Sequence, residues 1–185
     1  MSSPRRANRG PAAAAENRVA LLAAAKATFV EHGLDAPLNQ IARAAGVGQG
    51  SLYRHFPTRE AIILAVFDEN LGQLEAMVAK VDSTLDELLA EMFDQIVDVA
   101  VLFELFRFAD SSDPRLAEII GRLYALLDEK LGDDSSRGSI RRGVTAEDIF
   151  LSVGMLAGLL NKTPEQERPS VAKKCRALLL RALCD

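Results

Sequence analysis

The chain is predicted to be all-α, and three observations predict it. Apolar residues recur at helical spacing along most of its length, no run alternates apolar and polar residues as a half-buried strand would, and the breaks between periodic segments carry capping chemistry. With 185 residues, 49% of them hydrophobic, the chain can bury a real core in one or two modest domains. No internal repeat competes with this reading.

The apolar run from Val19 to Val30 comes first, and His32 beside Gly33 fits a helix C-terminus. The stretch Ile41 to Phe56, I-A-R-A-A-G-V-G-Q-G-S-L-Y-R-H-F, then reads as two short helices joined by a glycine turn. Ile41, Ala42 and Ala45 share one helical face, Gly46 ends that helix where a left-handed backbone is cheapest, and Val47 plugs the angle between the helices. The second helix starts near Gln49. Leu52 and Phe56 lie four apart and face inward, which leaves Gln49, Ser51, Tyr53, Arg54 and His55 on or near the outer surface. This is the pattern of a helix-turn-helix; on the turn alone, an ordinary helical hairpin fits as well.

Thr58 as N-cap and Glu60 in the first turn open a long helix expected over 58–81, with Ile63, Phe67, Leu71, Leu74, Val78 and Val81 on one stripe. Thr84 with Glu87 forms a capping box for the next, which carries Leu85, Leu88, Leu89, Met92, Phe93, Ile96 and Val97; a separate short helix is expected from Val101 to Ala109. Asp113-Pro114 places an N-cap before a proline at the first helical position, starting a helix to Leu131 and Gly132. A polar loop follows from Gly132 to Gly143. Thr145 caps a helix that is almost wholly apolar from Ile149 to Leu160, and Ser170 opens the last, ending near Leu183. An apolar helix of this kind must be covered on more sides than a surface helix, either by a partner subunit or at the centre of a monomeric core. Gly154 and Gly158 are spaced to let another backbone approach.

Charge is unevenly spread. The net charge is -4, yet residues 1–60 hold eight basic and four acidic residues, giving +4, and residues 61–185 hold fourteen and twenty-two, giving -8. A basic front end on an acidic body fits a DNA-binding domain joined to a body with another task. No membrane span is present, and Glu16, Asn17, Arg18 and Lys26 spoil the N-terminus as a targeting signal, so a cytoplasmic protein is expected. Cys175 and Cys184 lie nine apart, on opposite faces of one helix, and are expected as two reduced thiols; an inter-subunit disulfide or redox sensor is the lesser alternative. His32 and His55 lack companions for a metal or nucleophilic site, and Gly46, Gly48 and Gly50 have neither a preceding strand nor a following Lys-Ser/Thr, so no catalytic residue, metal or cofactor is expected.

From roughly Arg18 to Phe67 the chain resembles the N-terminal domain of the TetR family of bacterial transcriptional repressors. Ala24-Ala25 through Phe29 and Glu31-His32-Gly33 are similar to the family's first helix and its glycine stop. Ile41-Ala42, Ala45-Gly46-Val47, Gly50, Leu52-Tyr53 and Phe56 match its signature, and Arg59-Glu60 matches the start of its fourth helix. The sequence departs at Leu38 and Gly48, where the family often has Thr or Ser; glycine is a tolerable N-cap.

The resemblance implies three parts: a basic, disordered tail over 1–14, a three-helix helix-turn-helix domain over 15–62, and a ligand-binding and dimerisation domain over 63–185. For double-stranded DNA, Gln49 and Ser51 are candidates for base edges and Gly50 for close approach. The family places Tyr53 and His55 against phosphates or bases and Arg59 against phosphate, with Arg54 as a further candidate. The competing reading makes Tyr53 a core-edge aromatic and His55 and Arg59 solvated surface groups. Arg5, Arg6 and Arg9 suit either a minor-groove arm or a plain disordered tail.

The resemblance also implies a homodimer through the last two helices, with Ile149, Val153, Gly154, Ala157, Gly158 and Leu178 as interface candidates, and a small-molecule effector. Met92, Phe93, Phe103, Phe106, Arg107, Phe150 and Met155 are candidates for the effector pocket, although such a stripe also reads as plain core. The expected function is a ligand-responsive repressor that binds a palindromic operator as a dimer. The alternative is a helical ligand-binding or protein-interaction module that keeps the fold without operator binding.

Overall fold

The computed structural model describes residues 11–33, 35–80, 82–108 and 113–184; the side chains of residues 11, 98, 99 and 101–108 are outside that set. The described residues form eight α-helices: α1 (Pro11–His32), α2 (Leu38–Ala44), α3 (Gln49–His55), α4 (Arg59–Val78), α5 (Leu85–Phe108), α6 (Pro114–Gly132), α7 (Ala146–Asn161) and α8 (Arg168–Leu183). A single antiparallel bridge between Ile140 and Cys184 is the one β-type pairing among them. The chain divides into two compact units, Met1–Ile62 and Ile63–Asp185, with the boundary inside α4.

In the first unit, α1 buries Leu21, Leu22, Ala25 and Phe29, and α2, α3 and the C-cap of α3 contribute Ile41, Ala42, Leu52 and Phe56 to the same core. Helix α1 starts at Pro11, so residues 11–14, expected in the tail, are helical; proline is well suited to a first helical position. Arg5, Arg6 and Arg9 lie outside the described residues. At its other end Gly33 adopts φ +77° and its N–H donates to the Phe29 carbonyl at 3.0 Å, the left-handed stop that only glycine takes without strain.

The second unit is a helical body. Its core comes from Val66, Phe67, Leu71 and Leu74 of α4, Leu85, Leu88, Leu89 and Phe93 of α5, Leu116 and Leu127 of α6, and Ile149, Leu156, Ala157 and Leu160 of α7. The capping chemistry is realised. Thr84 and Glu87 exchange their side-chain and backbone bonds, the Asp113 carboxylate accepts from the Arg115 N–H, and Thr145 forms a capping box with Asp148. Thr58 Oγ1 accepts from Ala61 N at 3.1 Å.

Two boundaries differ from expectation. Leu85–Phe108 is one continuous helix rather than two, and the segment contains neither Gly nor Pro to stop it. Helix α8 begins at Arg168, ahead of Ser170, because Pro169 fits the first turn and a 3-10 turn, Glu165–Glu167, leads into it.

Polar groups pin the body. Arg122 of α6 donates to Asp68 (2.6 Å) and to Glu75 (2.9 and 2.7 Å) of α4; the two carboxylates hold its guanidinium pKa above the ordinary value. Buried Lys130 donates through Nζ to the Ser83 carbonyl (3.0 Å) and hydroxyl (2.9 Å), while Ser83 Oγ donates to the Val78 carbonyl at the end of α4 (2.8 Å). The ammonium thus opens a chain of bonds that ends on a carbonyl of the last residue of α4. The polar loop is anchored by Asp86, which accepts from Ser139 N (2.7 Å) and Oγ (2.5 Å), and Gly138, with φ +65°, leaves that carboxylate the space a Cβ would take. Both cysteines are free thiols, and burial pushes the Cys175 pKa up.

Candidate functional site

The turn between α2 and α3 is built by backbone bonds. Gly46 adopts φ +66°; its N–H donates to the Arg43 carbonyl at 3.1 Å, and Val47 N donates to the Ala42 carbonyl at 2.9 Å. That pair of bonds closes the last turn of α2 and directs the chain into α3. Gly48 stands at the N-cap of α3 with no side-chain cap bond. Leu52 and Phe56 are buried at 0% and 1% exposure and fix which face of α3 looks outward.

That outward face carries the sequence candidates. Gln49, Gly50, Tyr53 and Arg54 are exposed, and Ser51 and His55 are half-buried. Tyr53 is 50% exposed, so half of its surface is open on this face. A Cβ on Gly50 would meet no atom within 4 Å, so the molecule's own packing does not demand glycine there. His55 lies beside Phe56, with ring centroids 6.1 Å apart.

Arg59 is placed differently from its neighbours. Its Nη1 donates to the Ala36 carbonyl at 2.7 Å, which ties the start of α4 to the segment between α1 and α2. This bond braces the first unit through one N–H of the guanidinium, and it does not oppose the phosphate contact that the family resemblance implies for Arg59. Two cations are not among the sequence candidates. Arg18 of α1 stacks over the Phe56 ring at 4.9 Å from its centroid, and Arg43 is exposed on α2. Arg43 is legible in the sequence as the one charged residue between the inward-facing Ile41, Ala42 and Ala45, whereas the stacking of Arg18 requires tertiary structure.

In the second unit a cavity of about 70 Å3 lies among α4, α5, α6 and α7. Phe67, Leu71, Leu74, Met92, Ile96, Ile119, Ile120, Leu123, Phe150 and Val153 give it apolar walls, and Asn70 and Gln95 are the polar groups of its described lining. The Gln95 amide nitrogen donates to the Glu91 carboxylate at 3.1 Å. Of the expected pocket residues, Met92 and Phe150 line this cavity, and Phe93 turns instead toward α8. Met155 is 60% exposed and does not line this cavity, because it lies on the outer face of α7. Phe103, Phe106 and Arg107 have side chains outside the described residues.

The interface candidates need correction as well. Ile149, Val153 and Ala157 are buried within the body, at 0%, 5% and 0% exposure, so they face their own core. The outer stripe of α7 is Leu151, Met155 and Leu159, at 54%, 60% and 45% exposure, running beside Gly154 and Gly158; Leu178 of α8 is 61% exposed. Among the described residues no helix is long and apolar enough to cross a membrane.

A glycine-turned helix pair with an outward polar face, followed by a helical body, defines the class: a helix-turn-helix DNA-binding regulator. Comparison with known proteins agrees. Residues 21–66 match the family of bacterial regulatory proteins, tetR family, and the curated relatives and solved structures that the chain resembles are transcriptional regulators of that family, DNA-binding proteins and not enzymes. It is 26% identical over 156 residues to the fatty acid metabolism regulator protein of Bacillus subtilis, covering 77% of this chain and 79% of that one. It is 27% identical over 169 residues to the HTH-type transcriptional regulator SrpR of Pseudomonas putida, covering 83% and 76%. Among solved structures it is similar to a TetR transcriptional regulator from Streptomyces coelicolor, with a TM-score of 0.64, 27% identity, and coverage of 90% of this chain and 98% of that one.

Proposed function

We infer that the protein is a dimeric repressor whose α3 reads a palindromic operator and whose body releases the DNA when a small apolar molecule enters the central cavity. The observation that carries this reading is the split of α3 and its C-cap residue into a buried face, Leu52 and Phe56, and an outward face of Gln49, Gly50, Ser51, Tyr53 and Arg54. Gln49 can pair in a two-pointed way with adenine and Ser51 can donate or accept at a base edge. Tyr53, Arg54 and His55 supply phosphate contacts from the same helix, and Arg43 adds a positive charge from α2.

Two such helices about 34 Å apart would fit successive major grooves, which requires a dimer. The exposed stripe Leu151, Met155 and Leu159, with Gly154 and Gly158 beside it and Leu178 on α8, supports that dimer. Helix α4 runs without a break from the first unit into the wall of the cavity, where it contributes Phe67, Asn70, Leu71 and Leu74. The cavity, about 70 Å3, is far below the roughly 300–1,000 Å3 of typical small-molecule sites. A ligand must therefore push α4 and its neighbours apart, and the species it selects has a different half-site spacing.

The test is a fluorescence-anisotropy titration of labelled DNA from immediately upstream of the protein's own gene, for wild type and Tyr53→Ala, in a salt series. Selective binding that Tyr53→Ala abolishes supports operator reading; equal binding to scrambled DNA rejects it.

A further inference from the structure

Besides the central cavity, the body carries a second concave site. It is a groove of about 430 Å3 between α5, α7 and α8. Its floor is apolar and buried: Phe93, Leu156 and Ala172 are 2%, 0% and 8% exposed. Its mouth is charged, with Asp94 on α5 and Lys173 and Arg176 on α8. Helices α5 and α7 separate it from the cavity, since Met92, Ile96 and Val153 line the one and Phe93, Val97 and Leu156 the other.

The two cations are three residues apart on α8, a spacing that puts them on one face. Arg176 is held in place: its guanidinium carbon lies 5.8 Å from the Phe93 ring centroid, and Nη1 donates to Asp94 Oδ1 at 3.1 Å. Lys173 is exposed and has no hydrogen bond or ion pair among the described residues. Two cations against one carboxylate leave the mouth positive, on a body whose residues 61–185 carry a net -8. An apolar floor beneath an excess of positive charge matches a ligand with an apolar chain and an anionic head. The volume falls within the range of ordinary small-molecule sites.

We propose that this groove binds an anionic amphiphile, its chain against Val97, Pro169 and Ala172 above the buried Phe93 and Leu156, and its carboxylate or phosphate head held by Lys173 and Arg176. The head receives charge-assisted hydrogen bonds from both side chains, and the chain leaves water against the apolar walls of Val97 and Pro169.

Isothermal titration calorimetry on the full chain tests this with decanoate, decyl phosphate and 1-decanol, each below the concentration at which it self-associates. Both anions should bind about tenfold more tightly than the alcohol, and the tighter of the two identifies the head group. Lys173→Gln, an exposed change with no partner to lose, should weaken both anions about tenfold and leave the alcohol unaffected. Ala172→Phe, which fills the floor, should weaken all three, whereas Phe150→Trp in the central cavity should change none; circular dichroism establishes that each variant is folded. The proposal is overturned if no probe binds, if the alcohol binds as well as the anions, if Lys173→Gln has no effect, or if Phe150→Trp and not Ala172→Phe removes binding.

Discussion

Gly46 and Gly50 lie four residues apart in the helix-turn-helix and serve different ends, so alanine at each separates folding from DNA reading. Gly46 has φ +66°, and a Cβ there would meet nothing within 4 Å, so Gly46→Ala costs the left-handed backbone penalty alone, about 1–2 kcal/mol. For a unit as small as Met1–Ile62 that corresponds to a Tm lower by roughly 5–15 °C. Gly50 sits inside α3 without a positive φ, and its Cβ would likewise stand in open space. Gly50→Ala should therefore stabilise by about 0.5–1 kcal/mol. The same methyl stands on the face turned to DNA and should weaken operator binding about tenfold, by preventing close approach. Thermal unfolding followed by far-UV circular dichroism, with anisotropy titrations well below Tm, reads both effects. Gly46→Ala should unfold earlier and bind normally while still folded; Gly50→Ala should unfold later and bind poorly. If Gly50→Ala binds like wild type, α3 does not approach DNA through its first turn and the reasoning fails.

Further outcomes follow from the same geometry. Met155→Glu, on the exposed stripe of α7, should shift a dimer toward monomer in analytical ultracentrifugation while leaving helicity intact. Ile149→Ala, at a fully buried site, should instead cost about 2–5 kcal/mol of stability, measured by urea unfolding. Asp148 is held below the ordinary carboxylate range by the Thr145 backbone N–H first and its hydroxyl second. Because the folded pKa is depressed, the cap's contribution is complete above the ordinary carboxylate range and is lost as pH falls through the lowered value. Asp148→Asn should accordingly flatten the acid limb of the stability curve. Leu123→Ala, which enlarges the central cavity, should raise affinity for apolar effectors by calorimetry even as it lowers Tm.

The helix-turn-helix was legible because its determinants are local. Gly46 announces a left-handed residue, Leu52 and Phe56 set the inward face, and Thr58, Thr84, Asp113 and Thr145 announce caps. What failed to show depends on contacts distant in sequence. Helix α7 is apolar on almost every face, so nothing in its pattern separates Ile149, Val153 and Ala157, which look inward, from Leu151, Met155 and Leu159, which look outward. The bond of Arg59 reaches a carbonyl 23 residues away, and the burial of Lys130 rests on Ser83, 47 residues away. The groove over Phe93 joins α5 to α8 across a separation that no periodicity reveals.

Whether α3 reads DNA is the central question, and the decisive measurement is the salt-dependent affinity of the full-length protein for its upstream DNA against scrambled DNA, with Gln49→Ala and Arg54→Ala alongside. Sequence-selective binding is the predicted result: Gln49→Ala relaxes the preference at about 1–3 kcal/mol, and Arg54→Ala weakens all sequences alike and makes the salt slope shallower by about one. Equal, weak binding of both DNAs, unchanged by either substitution, would contradict it.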